Sequence, residues 1–143
     1  MSAAAGSADV RISASGFTFD AKFHPDAPRT VAAFRRLLPY RQRLIHVRWS
    51  GEAVWIPLGD FDLGVGFENH TRFPSAGDVL FYPGGDSEAE LLIAYGACSF
   101  ASKVGPLAGN HFLTVVDGVD TLRELGRRVL WEGAQDVSFE IHG

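Results

Sequence analysis

A mainly-β closed barrel, its open ends plugged by two short helices, is the fold this sequence predicts. Three observations lead there. Many short runs alternate apolar with polar residues, two isolated segments carry helical spacing, and a length of 143 residues suits a single core. On pattern alone an open α+β sandwich is the structural alternative. Neither an internal repeat nor a linker-like tract interrupts residues 9–143, which are expected to form one domain. The first eight residues, small and polar, predict a disordered tail.

Asp9 to Ser15 reads as a short strand. In the next one Phe17, Phe19, Ala21 and Phe23 alternate with Thr18, Asp20 and Lys22, a period of two that gathers Phe rings on one buried face. Ala14 to Gly16 marks the hairpin turn between them. Asp26 as a cap, Pro28 in the first turn, and Val31, Phe34, Leu37 and Leu38 at helical spacing predict a helix that Pro39 ends. Strands follow at Leu44 to Trp49, with Ile45, Val47 and Trp49 on one face, and at Ala53 to Leu58. Ser50-Gly51 is the tight turn between them. Residues 59–76, rich in glycine and polar groups, predict a long, partly extended excursion.

Asp78 to Tyr82 is a further strand, closed by the turn signal Pro83-Gly84-Gly85-Asp86. The unbroken apolar run Leu91 to Tyr95, bounded by Glu90 and Gly96, predicts a strand buried on both sides. Gly96 to Asn110 reads as a long loop, of a length that is often functional in small domains. Phe112 to Val116 is a strand. Asp120 or Thr121 then caps a second helix carrying Leu122, Leu125, Val129 and Leu130, with Gly133 just past its end. Val137, Phe139 and Ile141 form the inward face of a closing strand.

Composition excludes several function classes. The net charge of -4 argues against nucleic acid, whose binding needs clustered Lys and Arg. Arg35, Arg36, Arg41, Arg43 and Arg48 are spread over a helix and a strand and read as a solvated face. Cys98 is the one cysteine, so neither an internal disulfide nor a thiolate metal cage is available. His24, His46, His70, His111 and His142 show no His-x-His or His-x-x-x-His spacing, and no metal is expected. The glycine-rich stretches lack a Walker pattern, and no cofactor is expected either. No apolar stretch approaches the ~18–20 residues that span a bilayer, and the opening residues do not resemble a signal peptide. A cytoplasmic address is the expectation.

Residues 16–38, GFTFDAKFHPDAPRTVAAFRRLL, resemble the opening of a cyclophilin, whose strand leads into an Ala-Pro-Lys-Thr-Val-x-x-Phe helix; here these are Ala27, Pro28, Arg29, Thr30, Val31 and Phe34. The remainder resembles a bacterial family of uncharacterised cyclophilin-like proteins. The marks are Arg48 to Gly59, Glu68 to Gly85 and Asn110-His111, within a resemblance that spans residues 9–142. The family implies a cyclophilin-like barrel without an established activity. True prolyl isomerases carry an Arg-Ile-x-Pro-Gly-Phe-x-x-Gln-Gly-Gly-Asp stretch that this chain lacks. Arg48 is chemically similar to that arginine, but its neighbours do not match, so isomerase activity is not expected and the enzyme question stays open.

The foremost candidate site is Arg48-Trp49-Ser50-Gly51-Glu52 with Trp55. A guanidinium can grip a carboxylate in bidentate fashion beside the flat apolar wall of an indole. The bland alternative pairs Arg48 with Glu52 across the hairpin and buries both tryptophans. Tyr82 and Tyr95 at strand ends, with Asn110 and His111, are candidates for the same cavity, or half-buried core residues with wet tips. Glu68 and His70, at alternate spacing, are candidates with His111 for an acid–base pair, or turn formers and caps. Cys98 follows a buried strand but has no sequence-local activator, and reads as a small buried hydrophobe. Three functions follow: a barrel binding a small carboxylate or peptide-like ligand, a small metabolic enzyme using Glu68 and His111, or a homo-oligomeric assembly module. Seventeen aromatic residues suffice for both a core and an exposed patch for assembly.

Overall fold

The computed structural model describes residues 8–142. The expected N-terminal tail therefore lies outside the described residues except at Ala8, which is buried against the fold rather than loose. The strands are β1 (Val10–Ala14), β2 (Phe17–Phe23), β3 (Tyr40–His46), β4 (Gly51–Gly59), β5 (His70–Thr71), β6 (Asp78–Tyr82), β7 (Ala89–Cys98), β8 (Ala101–Ser102), β9 (Gly105–Pro106), β10 (Gly109–Asp117) and β11 (Gln135–Ile141). The helices are α1 (Pro28–Arg35) and α2 (Val119–Glu132). In the main sheet the order is β2-β1-β11-β3-β4-β7-β6-β10, and β2 pairs back onto β10, closing an antiparallel barrel; β5 adds to β10 from outside the ring. The predicted cyclophilin-like barrel with two helices is the fold the chain adopts.

Its first hairpin forms as the alternation predicts. Ser15 and Gly16, at φ of 53° and 85°, make the two-residue turn, and Ala14 pairs with Phe17. Val10, Ile12, Phe19 and Ala21 then point inward and are buried. At one end of the barrel α1 inserts Phe34, whose ring meets Phe112 at 4.9 Å and Phe139 at 5.4 Å. At the other, α2 buries Leu122, Leu125 and Val129. Gly126 of α2 lies so close to the Tyr95 ring that a Cβ there has no room. No helix is long and apolar enough to cross a membrane among the described residues.

Helix starts depart from expectation. Neither Asp26 nor Asp120 caps: Ala27 and Gly118 hold the N-cap positions, and neither supplies a side-chain bond. Pro28 does open α1, and Gly133 does close α2 at φ 94°. Thr121 donates to the Gly118 carbonyl instead of capping amides.

β3 departs further. It spans Tyr40–His46 rather than reaching Trp49, and Leu44, fully buried, is its inward residue. Ile45 therefore faces outward beside its partner Trp55, one residue out of the expected phase. Trp49 lies beyond the strand and is 58% exposed.

β7 is buried on both faces, as its apolar run predicts, because two separate apolar clusters sandwich it. Leu91 and Ile93 join the barrel interior with Val54, Ile56, Val79 and Phe81. Leu92 lies in a second cluster with Ala53, Leu80, Tyr82, Phe100 and Leu107, on the outer side of the sheet. The cover over this outer cluster comes from the segment read as a long loop. β7 runs on to Cys98, and β8 and β9 then form a small hairpin of their own. Ser50 fixes that hairpin by donating to the Ala101 carbonyl and accepting from the Ala101 amide, both at 3.0 Å. The Phe100 amide reaches the Arg72 carbonyl at 2.7 Å.

Candidate functional site

Between the outer face of β3–β4–β7 and the β8–β9 hairpin lies a pocket of about 270 Å³. Its floor follows from the register just described: with Leu44 turned inward, Ile45 and Trp55 face the pocket together. Arg48 and Trp49 enter from the segment after β3, and Ser102 and Lys103 from the β8 side. Glu88 and Glu90 come from the start of β7. Arg48 and Lys103 flank the Ser50–Ala101 contact, each two residues away in sequence, whereas the carboxylates sit where β7 begins.

Glu90 is the unusual member. It is only 5% exposed, and among the described residues its carboxylate has neither a hydrogen bond nor an ion pair. Burial, with the nearby charge of Glu88 adding to it, pushes the Glu90 carboxyl up to about 8. Glu88 itself is held by the Gly59 amide, which donates to it at 3.0 Å. Arg48 also makes no hydrogen bond or ion pair among the described residues and is exposed at the rim. His46 lines the same pocket but is occupied. Its Nδ1 lies 2.8 Å from the Val47 carbonyl, which can only accept, so Nδ1 donates there, and Nε2 pairs with the Tyr95 hydroxyl at 2.7 Å.

The other sequence candidates fall into three separate places. Glu52 does not pair with Arg48. It takes a two-pronged ion pair from Arg123 of α2, at 2.9 and 3.4 Å, and accepts the Ala97 amide at 2.8 Å. Arg123 and those hydrogen bonds hold the Glu52 carboxyl below its ordinary value. Tyr95 stands beside this pair, so both residues belong to the α2 end of the barrel and not to the Arg48 pocket. Tyr82 is buried in the outer cluster, its hydroxyl accepting the Asp86 amide at 3.1 Å.

Glu68 and Asn110 meet at α1. The Glu68 carboxylate accepts the amides of Arg29 and Thr30 and the Thr30 hydroxyl, doing from a distance what Asp26 was expected to do. Burial alone would raise the Glu68 carboxyl, but these donors outweigh it and hold the group below its ordinary value. Asn110, fully buried, donates to Thr30 Oγ1 at 3.1 Å and to the Gly66 carbonyl at 2.9 Å, and accepts the Glu68 amide at 3.1 Å. Each of these polar groups has its partners inside the fold.

His111 is occupied elsewhere. Its Nε2 lies 2.7 Å from Thr114 Oγ1 and 3.3 Å from Asp78, and its ring meets His24 edge-on at 4.7 Å. Burial lowers its basicity and the His24 neighbour lowers it further, against an opposing pull from Asp78. Glu68 and His111 are thus bound into different networks and do not form the acid–base pair that their chemistry suggested. Burial pushes the Cys98 thiol up to about 11, leaving it without the thiolate a nucleophile needs. Among the described residues no three His, Cys, Asp or Glu side chains converge as a metal site would require.

The pocket gathers Arg48, Trp49 and Trp55 from the candidates and adds Glu88, Glu90, His46 and Lys103, which sequence reasoning missed. Glu90 left one faint signal. It stands two residues before Leu92, on the same outward phase of β7, where a buried strand would otherwise carry an apolar side chain.

Comparison with known proteins bears on the fold. The structure of McbB in complex with tryptophan is similar at a TM-score of 0.73 and 22% identity, over 94% of this chain and 45% of that one. This chain thus spans less than half the length of McbB. The solution structure of the hypothetical protein AF2241 from Archaeoglobus fulgidus is similar at a TM-score of 0.54 and 15% identity, over 95% of both chains. No curated protein matches the sequence. The model of a family described as a protein of unknown function, DUF3830, matches residues 10–141, and the chain belongs to that family.

Proposed function

We propose that the protein binds a small carboxylate in the pocket beneath the β8–β9 hairpin, with Arg48 as its anchor. The observation that carries this reading is an unengaged guanidinium at the rim of a pocket walled by Trp49 and Trp55. Arginine's planar fork matches a carboxylate with two parallel hydrogen bonds, and an indole wall suits a flat apolar body next to it. At about 270 Å³ the pocket sits at the small end of the ~300–1,000 Å³ range of small-molecule sites, which favours a compact ligand over a long peptide. Support also comes from the complex of McbB with tryptophan, a molecule that joins a carboxylate to an indole. The enzyme built on Glu68 and His111 has no comparable support, since both groups are engaged in separate networks.

The test is the melting temperature of the wild type and of Arg48→Ala against small carboxylates, amides and proline-containing peptides. Binding to the folded state raises the melting temperature by mass action. A rise with carboxylates that vanishes in the variant is expected; a rise that survives the substitution, or none with any compound, overturns the reading.

Self-assembly is a second reading, which rests on Trp131 of α2. That side chain is 79% exposed, beside Leu130 at 53%. A monomeric mass by size exclusion with light scattering removes it.

A further inference from the structure

Charged side chains are almost never fully buried without a partner, because a lone desolvated charge costs far more than a buried polar group. Glu90 comes close to that limit, its carboxyl oxygens left open only towards the pocket. It is 5% exposed, belongs to the lining of the pocket, and is unpartnered among the described residues. The cations of the same pocket do not relieve it: neither Arg48 nor Lys103 ion-pairs with Glu90 among the described residues. Cationic and acidic side chains thus share one small cavity without pairing. We infer that the occupant is a zwitterion, an α-amino acid with an aromatic side chain, whose ammonium docks on Glu90 while its carboxylate takes Arg48.

This inference rests on the carboxylate reading above and narrows it. The surroundings of Glu90 suit a cation. Tyr82 pairs with it from β6, and Glu88 precedes it and adds negative charge; Arg48, His46 and Lys103 are the other charged or titratable groups of the lining. Both ring nitrogens of His46 are engaged, by the Val47 carbonyl and the Tyr95 hydroxyl, so it does not reach Glu90. An ammonium offers Glu90 charge-assisted hydrogen bonds that nothing else in the pocket provides.

The geometry also links binding to protons. In the empty pocket the carboxyl, pushed up by burial and Glu88, holds a proton through neutral pH. A docked ammonium stabilises the ionised form, so the proton leaves as the ligand enters. Affinity for the zwitterion therefore rises with pH until Glu90 is ionised in the free protein, at about 8. A ligand with only a carboxylate gains nothing from that rise, because ionised Glu90 repels it.

The experiment is calorimetric titration of each aromatic L-amino acid, its des-amino acid and its decarboxylated amine into wild type, Glu90→Gln and Arg48→Ala. Two buffers of different ionisation enthalpy at pH 7 count the protons. At least one amino acid is expected to bind the wild type about tenfold or more tightly than its des-amino counterpart, with close to one proton released. In Glu90→Gln the advantage and the proton release vanish together, while des-amino binding stays within about twofold. Equal binding of amino and des-amino acids, with Glu90→Gln silent, overturns the ammonium site and leaves the Arg48 pocket standing. Amine binding that needs Glu90 but ignores Arg48→Ala keeps the cation site and overturns both the zwitterion and the carboxylate anchor. Failure of every compound to bind overturns both readings. Glu90→Gln removes the ionisable group at nearly constant shape, and the proton count on the wild type stands even without the variant.

Discussion

Two carboxylates of this fold, Glu68 and Glu90, face opposite circumstances. Glu68, at the start of α1, has every partner it needs: the Thr30 hydroxyl, two helix amides, and Asn110 bracing its own amide. Glu90, at the start of β7, has none among the described residues. The two environments drive their carboxyls in opposite directions, Glu68 below its ordinary value and Glu90 up to about 8. The difference separates construction from use. A polar group that folding has satisfied is spent on the fold, and one left open towards a pocket is what the proposed ligand would use.

The largest effect belongs to the satisfied side. Asn110→Ala deletes three hydrogen bonds at a fully buried position and strands the Gly66 carbonyl and the Glu68 amide. At about 1 kcal/mol per bond plus the cost of unpaired groups, the loss is about 4 kcal/mol of unfolding free energy, read by urea denaturation. A loss under about 1 kcal/mol means that water replaces the side chain, and then the network does not hold α1 in place.

On the open side the sign reverses. Below its unfolded value near 4.5, Glu90 is protonated in both states and costs nothing; as pH rises toward 8 the unfolded chain ionises while the folded one is held neutral, and stability falls. Glu90→Gln abolishes that loss, so it stabilises the protein by about 3 kcal/mol at pH 8 and leaves it little changed at pH 4. Denaturation curves of both proteins at the two pH values decide it. Destabilisation at pH 8 reveals a partner for Glu90 and cancels the contrast with Glu68.

A third group works in the opposite pH direction and less strongly. His111, its basicity lowered by burial and by His24, takes up its proton at a lower pH in the fold than in the unfolded chain, whose ordinary value is about 6.5. Stability attributable to it is present above that value and is lost as pH falls. Asp78 at 3.3 Å tempers the effect, so a loss smaller than that at Glu90 is expected between pH 7 and 5. His111→Gln should flatten that limb; an unchanged slope assigns acid sensitivity to other groups.

Much of this contrast was hidden in the sequence, for reasons the fold makes plain. The β1–β2 hairpin, the first turn of α1 and the close of α2 were legible because alternation, Pro28 and Gly133 act within a few residues. By contrast, α1 stops at Arg35, short of the Leu37, Leu38 and Pro39 expected to extend and end it. The barrel interior was legible from β7's apolar run. What lay on the other side of that run was not. The outer cluster under the β8–β9 hairpin makes β7 apolar on both faces, so periodicity could not separate barrel from pocket, and Glu90 read as the end of a strand. β3 slipped by one residue because Ile45, Val47 and Trp49 are as apolar as an inward face should be. They turn outward to a pocket instead. Glu68's role was invisible because its partner helix begins nearly forty residues earlier, a distance no local cap pattern spans.

The smallest effect on stability is expected where the functional stakes are highest. Arg48 is exposed and makes no hydrogen bond or ion pair among the described residues, so Arg48→Ala should move the unfolding free energy by no more than about 0.5 kcal/mol. Ligand-induced stabilisation should nonetheless vanish, since that term depends on affinity and not on the empty fold. The pairing of the two results is what carries weight. A variant that is both destabilised and ligand-blind would mean that Arg48 is built into the structure, as Glu68 is, and that loss of binding is a by-product of a damaged pocket. A variant as stable as the wild type but unresponsive places Arg48 with Glu90, among the groups the fold leaves open.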